Sequence, residues 1–141
     1  MSQTKEATIL FIEDNPHDVM VMQKAFADIT SPVCNVVVAE HGQAAMKLLE
    51  QGLNPDIILC DIHMPVMSGI DFVQTIKKTL MYRHIPVIMI SGMAVPQDAI
   101  ISYRYNANAF IIKPSDAAEL KDMVHHIVGF WLRYCFCPSP L

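Results

Sequence analysis

Residues 56–69 read DIILCDIHMPVMSG, and this stretch decides the fold. Asp56 to Cys60 is a short apolar run of the kind that forms a strand buried on both faces. The run ends at Asp61, and a loop punctuated by Pro65 and Ser68-Gly69 follows. Open α/β sheets bind ligands beyond the C-terminal ends of their strands. A carboxylate placed there is a nucleophile, a metal ligand or a helix cap. The flanking elements decide which.

Upstream, Thr8 to Ile12 predicts a first strand that stops at Glu13-Asp14. Asn15-Pro16 then opens a helix from His17 to about Ile29, with Val19, Met22, Phe26 and Ile29 at helical spacing. Valine-rich Asn35 to Ala39 makes a second strand, and Gly42 to Gln51 a second helix with Ala45, Leu48 and Leu49 inward. Downstream, Gly69 to Leu80 forms a third helix on Ile70, Val73, Ile76 and Leu80. Pro86 to Ile90 is a fourth strand, stopped by Ser91-Gly92, and Pro96 to Tyr105 a fourth helix with Asn106 suited to a left-handed cap. Ala109 to Ile112 is a fifth strand running into Lys113-Pro114, and Ser115 or Asp116 caps a last helix. Five strands alternating with five helices through short loops imply an α/β fold, a doubly wound parallel sheet covered on both faces.

The bulk properties narrow the function. The 141 residues, of 15.8 kDa, are enough for one domain with a real core. A hydrophobic content of 52% with mean hydropathy +0.32 hints at a protein–protein face. Net charge is −4 and lysine and arginine do not cluster, so direct nucleic-acid binding is not expected. The first apolar run is only six residues, Ala7 to Ile12, so no signal peptide is expected. The apolar run Ile85 to Val95 is broken by Pro86 and Ser91-Gly92, so neither is a membrane span. Cys60 falls inside the buried strand and Cys34 opens another, which does not suit a disulfide framework. Cys135 and Cys137 lack the second pair a zinc site needs. A reducing, cytoplasmic setting follows.

In a parallel sheet every strand's C-terminal end lies on one edge. Glu13, Asp14, Asp61, Ser91 and Lys113 all stand at such ends. Carboxylates gathered without a cation raise one another's pKa values. A hard divalent ion resolves this: magnesium takes an octahedron of oxygens and keeps some water. Asp14, Asp61 and a backbone carbonyl just after Asp61 offer part of that shell, with Glu13 reaching through water. Lys113 is then a cation facing the acids, and Ser91 a hydroxyl donor to an incoming oxygen. These are the parts needed to accept a phosphoryl group.

Glu13-Asp14, Asp61-x-x-Met64-Pro65-x-Met67-x-Gly69, Ser91 and Lys113-Pro114 resemble the receiver domain of two-component response regulators, over nearly the whole chain. The resemblance implies a flavodoxin-like (βα)5 fold with strand order 2-1-3-4-5. It implies one receiver domain over residues 1–141, with a core of about 7–129 and a C-terminal aromatic extension of about 130–141. It also implies Asp61 as phosphoacceptor from a sensor histidine kinase, Mg2+ on Asp14, Asp61 and the His63 carbonyl, and a cis Lys113–Pro114 peptide. Phe110 falls at the family's switch aromatic, acting with Ser91. His63 and Met93 occupy positions that tune phosphoryl lifetime in the family.

The last helix is expected from about Asp116 to Tyr134, with Leu120, Met123, Val124, Ile127, Trp131 and Leu132 in one stripe. Phe130 and Tyr134 widen it. Either the helix overhangs its own core, with Trp131 as a plug, or Phe130, Trp131 and Tyr134 anchor a homodimer; the width of the stripe favours the dimer. Phe130-Trp131-Leu132 with its short Pro-containing tail also resembles single-domain response regulators that partner cyanobacterial-type phytochromes. In that group this region helps form a homodimer, and the implied kinase is a phytochrome.

Three rivals fare worse. An aspartyl-phosphate hydrolase of the haloacid dehalogenase type needs an aspartate where His63 stands. A flavodoxin-like electron carrier needs a phosphate loop where Glu13-Asp14-Asn15 would repel one. A pseudo-receiver scaffold would not need the five-residue set. No output domain follows Lys113 before residue 141, so the expected output is protein–protein contact. His17 is read as bordering the site, His125 and His126 as facing outward, and His41 and His84 as loop residues.

Overall fold

The computed structural model describes residues 6–64 and 67–135. Pro65 and Cys137, which figure in the motifs above, lie outside the described residues. The order is β1 (Ala7–Ile12), α1 (Pro16–Ala27), β2 (Cys34–Ala39), α2 (Gly42–Glu50), β3 (Ile57–Asp61), α3 (Gly69–Lys78), β4 (Val87–Ser91), α4 (Pro96–Arg104), β5 (Ala109–Ile112) and α5 (Ala117–Ile127). The strands form one parallel sheet in the order β2-β1-β3-β4-β5, the expected flavodoxin-like arrangement.

Period-two alternation sends side chains of the inner strands to two cores. Leu10, Ile12, Ile58, Cys60, Val87 and Met89 face a layer closed by Leu49, Phe72, Val73 and Ile76 of α2 and α3. Ile9, Phe11, Ile57, Leu59, Ile88 and Ile90 face the other, closed by Met22 and Phe26 of α1 and by Leu120, Val124 and Ile127 of α5. Burial on both faces is why these strands read as unbroken apolar runs.

Side chains terminate the helices at their N-termini. Asn15 Oδ1 accepts from the backbone N–H groups of His17 and Asp18 at 2.9 and 3.1 Å. His41, expected merely in a loop, caps α2 by accepting from Ala44 N–H through Nδ1. Ser68 caps α3 and Asp116 caps α5. Only α4 lacks a side-chain cap among these helices; it starts on Pro96 and buries one residue, Ser102, which explains its weak amphipathic pattern. Asn106 takes φ +72° at the end of that helix, as its position suggested.

Three expectations change. Leu80 is 75% exposed rather than inward, because α3 stops when Thr79 turns extended. The last helix is not one continuous α-helix: regular turns end at Ile127, and Val128–Tyr134 is a wider π-helical segment closed by Cys135 N–H on the Phe130 carbonyl at 3.0 Å. Gly129, a poor helix former, sits just inside that change. The wider turn leaves Trp131 and Leu132 against the α1/α5 core, while Phe130 and Tyr134 stay exposed. Lys113–Pro114 is trans, and Ser31–Pro32 is the cis peptide among the described residues. Strand pairing carries the lysine to the pocket rim instead, through Lys113 N–H donating to Ser91 O at 2.7 Å.

Gly69 packs α3 directly beneath the end of β3. A Cβ there would meet the Asp61 carbonyl oxygen and would lie 2.8 Å from Ile62 Cα, both backbone. Gly69→Ala is expected to lower stability by about 1–3 kcal/mol, read as a lower urea midpoint, since the backbone must shift to admit one methyl. An unchanged midpoint would show that the β3–α3 turn yields freely.

Candidate functional site

The C-terminal edge of the sheet brings together the residues the strand ends nominated. Glu13, Asp14 and Asp61 each place a carboxylate oxygen so that all three lie within 4.8 Å of one another. Glu13 is buried, Asp61 half-buried and Asp14 exposed, a gradient from the sheet outward. Glu13 is fixed at both ends: its N–H donates to Ala39 O at 2.9 Å, and its Oε2 accepts from Asn15 N–H at 3.2 Å. Behind Asp61 the chain is pinned by Ile62 N–H on Ile90 O and by Gly69 N–H on Ile62 O.

Burial and crowding move the acids. Glu13 is pushed up to about 7, first by burial and then by the charge of Asp61; the Asn15 N–H and the Lys113 ammonium pull the other way. Asp61 is also raised above the usual carboxylate range by burial, against the pull of Lys113, with Asp14 adding to the rise. Such a trio suits a hard divalent cation. Three acidic residues whose carboxylate oxygens lie within 4.8 Å of one another offer the hard oxygen donors that magnesium takes. Among the described residues this is the one such acidic group.

The other two groups are engaged elsewhere. Ser91 is fully buried, and its hydroxyl donates to Met93 O and accepts from Met93 N–H, each at 3.1 Å. Lys113 Nζ lies 2.7 Å from Asp18 Oδ2 and 3.9 Å from Glu13 Oε1. Asp18, in the first turn of α1, was not anticipated. A reading confined to strand ends does not reach it; its signal is an acidic side chain in the first turn of the helix that opens directly after Glu13-Asp14. His63 contributes a further link, with Nε2 3.1 Å from Asp98 Oδ2 in α4. Phe110 is half-buried against the α2/α3 core, and its N–H donates to the Tyr103 hydroxyl at 3.1 Å. Cys60, beside Asp61, is buried with its thiol pushed well up, so it stays protonated. His125 and His126 are exposed, as expected.

Residues 9–125 match the response regulator receiver domain family. The chain belongs to it. Response regulator Rcp1 of Synechocystis sp. is 28% identical over 138 residues, covering 93% of this chain and 92% of Rcp1. A probable cyclic di-GMP phosphodiesterase of Vibrio cholerae is 31% identical over 89% of this receiver, which spans only 27% of that longer protein. Among solved structures, the phosphorylated cyanobacterial phytochrome response regulator RcpA superposes with a TM-score of 0.89 at 31% identity, covering 96% of this chain and all of RcpA. The Mn(2+)-bound form of Rcp1 gives 0.85 at 27%, covering 94% of this chain and 99% of Rcp1. This is a receiver of the response-regulator class, close in fold to phytochrome response regulators. No helix among its described residues is long and apolar enough to cross a membrane.

The raised Glu13 has a consequence for stability. Its folded value near 7 lies above its ordinary 4.5, so between these the folded receiver holds more protons than the unfolded chain. The associated stability is therefore full below about pH 4.5 and is lost as pH rises through 7. In metal-free buffer, urea unfolding at pH 5 and pH 8 should show a smaller decline for Glu13→Gln than for the wild type. Equal declines would place the proton elsewhere.

Proposed function

We propose that the protein is a single-domain response regulator that accepts a phosphoryl group on Asp61 from a sensor histidine kinase of the phytochrome type, in the cytoplasm, and signals through protein–protein contacts. The observation that carries this reading is the Glu13/Asp14/Asp61 trio at the sheet edge, with Lys113 at its rim. Glu13, Asp14, Asp61 and the His63 carbonyl would hold Mg2+, consistent with the donor set. A bound Mg2+ would neutralise charge on the transferring phosphoryl oxygens.

An Asp61 carboxylate oxygen attacks phosphorus as the P–N bond to the kinase imidazole breaks, and the released imidazole nitrogen takes up a proton from solvent. Burial raises the Asp61 carboxyl and opposes its ionisation, and the Lys113 charge works against that rise, favouring the ionised, nucleophilic form. The new phosphoryl oxygens then offer Ser91 and Lys113 better acceptors than their resting partners. As the Ser91 hydroxyl turns from Met93 toward the phosphoryl, it vacates space beside Phe110, and the Phe110 ring moves inward. Moving such an equilibrium from mostly inactive to mostly active takes about 5.5 kcal/mol. Hydrogen bonds to a charged group, at about 1.5–3 kcal/mol each, are of the right size. The intact set of partners disfavours a scaffold that is never phosphorylated.

Phe130, Trp131 and Tyr134 are proposed as a homodimer interface. Phe130 and Tyr134 are 57% and 80% exposed, and the Phe130 ring stands edge-on to Trp131 with centroids 5.1 Å apart. Large exposed aromatics of this kind anchor interfaces.

Acetyl phosphate with Mg2+ should add one phosphoryl mass to the wild type, and none to Asp61→Asn or in the presence of EDTA. Labelling of Asp61→Asn at the same stoichiometry would remove the assignment. For the tail, Phe130→Ala with Tyr134→Ala should move the sedimentation profile toward monomer with less risk to the core than Trp131→Ala, because Trp131 packs on it. A profile that does not move rejects this dimer face.

A further inference from the structure

We propose that Asp18 is a positioning residue that holds Lys113 in the unphosphorylated state and surrenders it to the phosphoryl group. The inference deepens the function above and rests on it. Two distances carry it. The Lys113 ammonium sits 2.7 Å from Asp18 Oδ2 and 3.9 Å from Glu13 Oε1, and these are its ion pairs within 4.0 Å among the described residues. Asp61, the group it must serve, is not among them.

The pair is partly sheltered, with Lys113 19% and Asp18 32% exposed at their side chains, so it is screened less than a surface pair. It also joins residues 95 apart in the chain, from the first turn of α1 to the loop after β5. A lysine ammonium is a compact charge on a flexible four-carbon stem, so it can swing between neighbouring acceptors without moving its backbone. Here that backbone is anchored, because Lys113 N–H is bonded to Ser91 O. The swing is therefore confined to the side chain.

Two consequences follow. With Asp18 as its nearer partner, the ammonium stays at 3.9 Å from Glu13 Oε1, forms no ion pair with Asp14 or Asp61, and leaves the trio open to a cation. Once phosphoryl oxygens arrive, the ammonium exchanges one anion for another, and the α1-to-β5 tether is released. Asp18 thus tunes both metal access and the phosphorylated state without touching either the cation or the phosphoryl group.

The test is a double-mutant cycle on the full chain with Asp18→Asn, Lys113→Met and both together. In metal-free protein, the NMR signal of the Lys113 side-chain ammonium should shift in Asp18→Asn; a signal that stays in place overturns the pairing. Magnesium titration should show Asp18→Asn weakening Mg2+ affinity about threefold or more when Lys113 is present, as the freed ammonium turns onto the acids. In the Lys113→Met background the same substitution should change affinity little. Equal weakening in both backgrounds would mean only a lost negative charge acting through space, and would overturn the proposal, as would no weakening in either. Asp18→Glu, which keeps the charge on a longer stem, should restore wild-type affinity. Beryllofluoride with Mg2+ should bind about three- to tenfold more tightly to Asp18→Asn than to the wild type. A wild type that binds neither magnesium nor beryllofluoride would defeat the phosphoacceptor reading instead, and the ammonium signal would still decide the Asp18 pair.

Discussion

Repulsion among three carboxylates at one edge of the sheet is the constraint to which the rest of this receiver responds. Glu13 and Asp61 cannot drift apart, because one follows β1 and the other ends β3, and the residues leading to them, 9–12 and 57–60, are buried on both faces. Their strands are locked in register, Ile12 beside Cys60, so the acids that follow are delivered side by side. The packing that holds the fold thus imposes an electrostatic load on its edge. That load is visible in the elevated Glu13 and Asp61, and it is eased by backbone N–H groups and by one ammonium.

The surrounding side chains are all committed to partners that are not the acceptor carboxylate. Ser91 is bonded to the Met93 backbone, Lys113 to Asp18, His63 to Asp98, and Phe110 N–H to Tyr103. These bonds reach from the pocket, or from β5 beside it, to the loop after β4, to α1 and, twice, to α4. An added anion on Asp61 would compete with several of them at once. Charge at one oxygen is in this way connected to α1, to α4 and to the edge strand, through contacts that exchange rather than stretch.

Much of this was legible before any coordinates. Parallel strands buried on both faces leave near-continuous apolar runs, and Glu13-Asp14, Asp61, Ser91-Gly92 and Lys113-Pro114 mark where four of them stop, so all five strands are legible to within a residue or two. The site residues were legible for a related reason: a parallel sheet puts all its strand ends on one edge, and the chemistry-bearing residues sit at those ends. Leu80 misled because its spacing continued the α3 pattern, while nothing local announced that Thr79 would turn extended. The π-helical segment after Ile127 was hidden too, since apolar spacing at Trp131 and Leu132 suits either kind of helix. Asp18 stands at no strand end, so a reading built on strand ends does not reach it.

The sequence by itself determined the elements, their order and the edge at which Glu13, Asp14, Asp61, Ser91 and Lys113 collect, because these depend on periodicity and chain direction, which are local. It did not determine which partner each side chain takes. That Lys113 turns to Asp18, that Ser91 turns to its own loop, and that Trp131 packs inward while Tyr134 points out are decided by distances between residues far apart in the chain. Those distances exist only once the helices have docked on the sheet.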